Sequence, residues 1–180
     1  MMDDWEDSMY KDEFTDLVVK GLKEGIPAVL KEYGDEDIYI LSLEADNTCT
    51  PDGEYSFTLY VNTEENHKRN LENACDDPWY YRFCEYEWYI IPDPEFLNDA
   101  VTFLTDGYAS MPRDEVYECI VQAVEKLREE KFFDNLYPHF VFFSINASEC
   151  FDEETMIDLA IRMNGKENCT DFIENIEAFF

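Results

Sequence analysis

The first two predicted strands lie in residues 38–63, which read IYILSLEADNTCTPDGEYSFTLYVNT. Residues 38–45 are apolar and β-branched enough to predict a strand. Residues 55–61 alternate between two faces, which is the two-residue period of a half-buried strand. One face carries Tyr55, Phe57, Leu59 and Val61. Because the Pro-Asp-Gly sequence at 51–53 has turn chemistry, the stretch predicts an antiparallel hairpin with a long loop.

Helices are predicted on either side of this hairpin. Apolar residues recur at helical spacing over residues 14–33, where Gly25 and Pro27 predict a kink or a break into two helices. Thr63 is predicted as the N-cap of the next helix, because two glutamates follow it in a first turn that favours anions.

The rest of the chain is predicted to be mostly helical, with one further strand. Helices are expected near residues 94–104, from Pro112, near residues 152–163 and from Thr170. Residues 139–145 are apolar on both faces, which predicts a central, covered strand. The fold class is therefore α+β: a small, mostly antiparallel sheet covered by helices, in a single layered domain spanning residues 1–180.

Charge is the outstanding feature of the composition. The chain has 13 lysines and arginines against 43 aspartates and glutamates, a formal net charge of −30. Such a surface repels phosphates over roughly 8 Å at physiological salt, so binding to nucleic acid or to an anionic membrane is not expected. A basic protein would be attracted. The alternative is that the acidity serves solubility alone.

The termini and cysteines predict a cytoplasmic protein. The first seven residues lack the positive and apolar regions of a signal peptide, and no apolar run approaches the roughly 20 residues that span a bilayer. No C-x-x-C motif occurs, so free and mostly buried thiols are expected rather than disulfides. The six cysteines are Cys49, Cys75, Cys84, Cys119, Cys150 and Cys169.

No catalytic, metal or cofactor site is predicted. His67 and His139 have no second ligand at zinc spacing, and His139 is expected to be a core histidine. Ser144 lies in a strand pattern and not in G-x-S-x-G, and no glycine-rich phosphate loop occurs. Residues 46–54 contain oxygen ligands for calcium but lack EF-hand spacing, so a turn is expected there.

Residues 76–92, the aromatic segment, are the candidate interaction site. Seven of these residues are aromatic, acids are interleaved with them, and Arg82 is their only cation. Large aromatic rings beside charges are typical of interface hot spots. The alternative is a buried edge strand or loop that completes the core, with Arg82 neutralising Glu85 or Glu87.

An extended conformation divides this segment between two faces, because alternate side chains of a strand point in opposite directions. The inward face is expected to provide aromatic support from Trp79, Tyr86 and Trp88. Glu85, Glu87 and Tyr89 are expected to face solvent beside Arg82. The predicted partner-binding residues are Tyr81, Arg82, Glu85, Glu87 and Tyr89.

The chain resembles an uncharacterised bacterial family, domain of unknown function 4303. The resemblance rests on an N-terminal helix, on residues 38–43 and 59–65, and on the motifs at 80–83, 87–88 and 142–145. It spans nearly the whole chain and implies no activity. Members of the family look like small acidic proteins, similar in style to the immunity proteins that neutralise toxins.

Three functions follow as hypotheses. The first is a non-enzymatic protein-binding module, immunity-protein-like, that neutralises a basic partner. The alternatives are a hydrolase that uses paired carboxylates and a mimic of nucleic acid that occupies a basic groove. The sequence leaves the partner and the oligomeric state open.

Overall fold

The computed structural model describes residues 4–34, 36–47, 54–73, 78–107 and 111–176. Its strands are β1 (Ile38–Asp46), β2 (Ser56–Thr63), β3 (Tyr89–Pro92) and β4 (Phe142–Ile145). Its helices are α1 (Asp4–Glu32), α2 (Glu64–Asn73), α3 (Pro78–Phe83), α4 (Asn98–Gly107), α5 (Arg113–Glu129), α6 (Phe132–Leu136), α7 (Glu153–Asn164) and α8 (Thr170–Asn175). Short 3-10 turns cover Glu85–Glu87, Glu95–Leu97 and Lys166–Asn168. The predicted α+β class is confirmed.

The four strands form one open mixed sheet in the order β3-β2-β1-β4. The predicted hairpin is confirmed, because β1 and β2 pair antiparallel with Leu43 opposite Leu59. β3 pairs antiparallel with β2, and β4 pairs parallel with β1, which places Phe143 opposite Leu41. The predicted cap of α2 is also confirmed, because the Thr63 hydroxyl accepts a hydrogen bond of 3.0 Å from the backbone N–H of Asn66.

The prediction of a central position for β4 is wrong, because β4 lies at the edge of the sheet. Its apolar run has a different cause. The side-chain amide of Asn164, at the end of α7, bonds both backbone groups of Phe143, with distances of 2.7 Å to the N–H and 2.8 Å to the carbonyl. Asn164 therefore supplies the two hydrogen bonds that a neighbouring strand would otherwise make to Phe143. Because all four β4 side chains are buried, the strand has the sequence of a central one.

Of the kink or break predicted at Gly25 and Pro27, the break into two helices is wrong. α1 runs as one helix from Asp4 to Glu32 with Pro27 inside it. Gly25 serves close packing instead, because a β-carbon there would lie 2.1 Å from the ring of Phe96. α1 packs against α4 and α5, and α5 packs against β1, so these helices form the layer on one side of the sheet.

Candidate functional site

The aromatic segment is folded in three pieces rather than extended. α3 ends at Phe83, a 3-10 turn covers Glu85–Glu87, and β3 begins at Tyr89. The predicted alternation of faces fails here, because side chains three residues apart lie on the same side of a 3-10 turn. Glu85 and Trp88 therefore point the same way, and each is only 6% exposed.

Glu85 is the clearest departure from expectation. The prediction that it faces solvent is wrong, because its carboxyl group lies under the sheet and accepts a hydrogen bond of 3.0 Å from Ser42 Oγ. Burial raises the pKa of Glu85 to about 7, and the nearby charge of Glu44 adds to this rise, whereas the bond from Ser42 opposes it. Glu85 anchors the aromatic segment to β1 and presents no surface charge to a partner.

Trp88 and Glu87 occupy opposite environments. Trp88 is buried, and its indole Nε1 donates to the Tyr81 carbonyl at 3.3 Å. The Glu87 side chain is exposed, while its carbonyl accepts from the Asn66 and Asn70 side chains at 3.0 and 3.1 Å. Tyr81 is half-buried. The side chains of Trp79 and Tyr86, the other two predicted supports, lie outside the described part of the structure.

Tyr89 does not project into solvent as expected. It is half-buried and stacks on Tyr33 with the ring centres 4.8 Å apart. Its hydroxyl accepts a bond of 2.9 Å from Arg69 and donates to Glu36 at 3.2 Å. These contacts hold β3 to the end of α1 and to α2, so the role of Tyr89 in this structure is packing.

Arg82 occupies the most distinctive environment of the predicted residues. Its guanidinium carbon lies 4.4 Å from the ring centre of Tyr39, and its Nη1 lies 3.3 Å from Glu64 Oε1. The expected pairing of Arg82 with Glu85 or Glu87 is therefore replaced by a pairing with Glu64. The backbone carbonyl of Arg82 also accepts a hydrogen bond of 2.9 Å from the Tyr39 hydroxyl.

Arg82 lines a cleft of about 460 Å³, hereafter the cleft. The cleft lies where β1 and β4 begin, because parallel strands start at the same edge of a sheet. The C-terminal end of α3 and the N-terminal ends of α2 and α8 complete its walls. Its aromatic walls are Tyr39, Phe83, Phe140 and Phe142; its carboxylates are Asp37, Glu64 and Asp171; Arg82, His139 and Asn168 complete the lining.

His139 and Phe140 form the rim on the β4 side. The prediction of a core histidine is wrong, because His139 is exposed. Its Nε2 lies 2.7 Å from the Ile38 carbonyl, and since a carbonyl only accepts, Nε2 carries a hydrogen and donates it. Phe140 is 40% exposed and lies over the guanidinium of Arg128 at 4.5 Å, which holds the ring at the rim.

The cleft carries a negative charge. Asp37 and Asp171 are exposed, and neither carboxylate has an ion-pair or hydrogen-bond partner within the part of the chain that the structure describes. Glu64 is paired with Arg82 alone among these residues. Three carboxylates therefore line the cleft with one guanidinium. Carboxylates beside aromatic faces are the surroundings that bind an organic cation.

Neither a metal-binding cluster nor a membrane-spanning helix occurs among the described residues. Among the described ranges, no three side chains of histidine, cysteine, aspartate or glutamate lie close enough together to hold a metal ion. No helix in those ranges is long and apolar enough to cross a bilayer. The thiols of Cys84, Cys119, Cys150 and Cys169 are free, whereas Cys49, Cys75 and most of the oxygen-rich 46–54 turn lie outside the described residues.

Of the predicted partner-binding residues, Arg82 lines the cleft, whereas Tyr81, Glu85, Glu87 and Tyr89 are not among its lining residues. The lining comes from segments as far apart as residues 37 and 171, and no local motif joins them. A signal was present in the polar residues that precede two apolar strands, at Asp37 and His139. These two residues lie at the same edge of the sheet only because β1 and β4 are parallel neighbours, a pairing that the sequence does not reveal.

Comparison with known proteins identifies a family. The family model described as a domain of unknown function (DUF4303) matches residues 18–165, so the chain belongs to that family. The matched range includes every cleft residue except Asn168 and Asp171. Neither the curated proteins nor the solved structures yielded a match.

Proposed function

We propose that this member of the DUF4303 family is a non-enzymatic protein-binding module that engages a basic partner at the cleft. The observation that carries the proposal is the presence in one cleft of an exposed aromatic rim at Phe140 and two exposed carboxylates, Asp37 and Asp171, that have no partner among the described residues. Interface hot spots combine such rings with charges that select the partner. The role corresponds to that of an immunity protein that neutralises a basic toxin.

The charge of the whole chain supports this role. A net charge of −30 accelerates the encounter with a cationic protein, and the effect weakens as salt is added. The cleft then supplies the short-range contacts that a diffuse field lacks. A cationic side chain entering the cleft meets three carboxylates and several aromatic side chains in its lining.

A hydrolase that uses paired carboxylates is the second candidate, and Glu85 is the observation that favours it. A carboxyl with a pKa of about 7 suits general acid catalysis near neutral pH. We place this function second because Glu85 is not among the cleft residues and is 6% exposed. A substrate would have to displace the 3-10 turn to reach it.

The proposal is tested by fluorescence anisotropy with a labelled nine-residue peptide of lysine, arginine and glycine. The cleft variant D37N/D171N removes two exposed carboxylates, and the control E154Q/D158N removes two exposed carboxylates from α7. We expect the cleft variant to bind about tenfold more weakly, a loss of about 1.4 kcal/mol, and the control to change affinity less than about twofold.

Two results would contradict the proposal. If the peptide does not bind even at low salt, a basic partner is not recognised. If both variants weaken binding equally, the attraction belongs to the whole acidic surface and not to the cleft, which is the behaviour expected of a nucleic-acid mimic.

A further inference from the structure

We infer that the cleft recognises the guanidinium group of an arginine on the partner, and that Arg82 occupies this position in the free protein. The inference rests on the proposed function and specifies its chemistry. Arg82 belongs to the chain itself, yet it has the contacts of a bound ligand: an aromatic face at Tyr39 and a carboxylate at Glu64.

The contacts of Arg82 are weak enough to exchange. Its side chain is 27% exposed, and Nη1 makes one bond of 3.3 Å to Glu64, the only hydrogen bond of this guanidinium within the described ranges. A guanidinium has five donors, so four are not used by these residues. An ion pair of this exposure contributes little to stability, and a competing guanidinium pays little to displace it.

The receiving groups stay in place when the Arg82 side chain leaves. The Tyr39 hydroxyl is held by the amide of Asn62 at 2.7 Å and by the backbone carbonyl of Arg82 at 2.9 Å. Neither bond involves the guanidinium. Glu64 is fixed by its position as the first residue of α2, after the Thr63 cap. The site for a cation is therefore preformed, and binding does not require it to be built.

Arginine fits this site better than lysine. The planar guanidinium stacks on an aromatic ring and donates to several acceptors at fixed angles, whereas an ammonium is a strongly hydrated point charge. The other acceptors that line the cleft with Tyr39 are the carboxylates of Asp37 and Asp171. An incoming arginine takes over Glu64 and Tyr39 and gains these acceptors, which Arg82 does not use among the described residues.

The test compares two labelled peptides that differ only in carrying arginine or lysine, each titrated against the parent, R82A and the control K68A. Lys68 is an exposed cation of α2 outside the cleft lining, so K68A removes the same charge. We expect the parent to bind the arginine peptide several-fold more tightly than the lysine peptide. R82A should increase this preference, and K68A should leave it unchanged.

The outcomes separate the inference from the proposed function. If the arginine-to-lysine preference is absent, or is the same in R82A as in the parent, Arg82 is a structural clamp and the inference is overturned. Equal binding of both peptides that still depends on Asp37 and Asp171 leaves the proposed function standing. Failure of both peptides to bind contradicts both. If R82A does not fold by circular dichroism, R82Q, which keeps the polar side chain, serves for the same comparison.

Discussion

The hydroxyl of Ser42, in the middle of β1, donates a buried hydrogen bond of 3.0 Å to the carboxyl group of Glu85. This bond connects the centre of the sheet to the turn that separates α3 from β3. Arg82 and Phe83, which line the cleft, are separated from that turn by Cys84 alone. The position of the cleft wall therefore depends on a carboxyl group that titrates near neutral pH.

The first prediction concerns pH and stability. The pKa of Glu85 is about 7 in the folded protein, against an ordinary value of 4.5, so the folded state holds this proton more tightly between these values. Stability contributed by Glu85 is therefore lost as pH rises from about 4.5 to about 7, by an amount on the order of 3 kcal/mol.

Glu85→Gln isolates this effect, because the amide stays neutral and its oxygen still accepts from Ser42. Urea denaturation should show the variant to be the more stable protein at pH 8, with its advantage shrinking towards pH 5. The rest of the acidic chain titrates alike in both proteins and cancels in the difference. A difference in unfolding free energy that stays constant with pH would rule out a shifted Glu85.

The second prediction concerns charge reversal at the 3-10 turn. Glu87→Lys should leave the fold intact, because the side chain of Glu87 is exposed. Glu85→Lys should prevent folding or leave a loosely packed state, because it places an ammonium group at a buried position. Circular dichroism and near-ultraviolet spectra of the two single variants decide the matter, and an unfolded Glu87→Lys would contradict it.

The third prediction concerns the buried indole. Trp88→Ala should lower the free energy of unfolding by roughly 3–5 kcal/mol, because it removes a large buried ring and the bond to the Tyr81 carbonyl. Ile90→Ala, two residues along the chain and 53% exposed, is the matched control and should cost less than about 1 kcal/mol. Equal losses measured by urea denaturation would mean that Trp88 does not support the segment.

The fourth prediction concerns the edge of the sheet at β4. Asn164→Ala leaves the buried N–H and carbonyl of Phe143 without their partner, at a cost of roughly 1–3 kcal/mol per group. Asn175→Ala removes a half-buried side chain that donates to the Asp171 carbonyl within α8, away from β4, and should be nearly neutral. Hydrogen exchange supplies a second readout, because protection of the Phe143 amide should fall in the first variant. Unchanged protection would contradict the role assigned to Asn164.

Much of the fold followed from local patterns. The alternation in residues 55–61 and the cap at Thr63 each predicted an element that the structure contains, because period and capping depend on neighbouring residues. The continuity of α1 could not be predicted in this way. Pro27 and Gly25 resemble helix breakers locally, and only the packing of Phe96 against Gly25 explains why a glycine lies there.

The site was less accessible to sequence reasoning. The composition of the aromatic segment predicted an interaction site, and one of its residues, Arg82, does line the cleft. The extended conformation expected for the segment placed the Glu85 side chain in solvent, whereas it is buried. In a 3-10 turn, side chains on the same face recur every three residues instead of every two as in a strand. A short alternation of apolar and acidic residues is compatible with either conformation. The edge position of β4 depends on the side chain of Asn164, a contact that no sequence period reveals.

The most direct test of the central claim is an amide chemical-shift titration of the protein with the basic nine-residue peptide at physiological salt. If the cleft binds the partner, the largest shifts should fall at the cleft, at Tyr39, Arg82, His139 and Phe140, while the exposed acids of α7 stay unperturbed. Shifts spread evenly over the acidic surface, with no concentration at these four residues, would contradict the account.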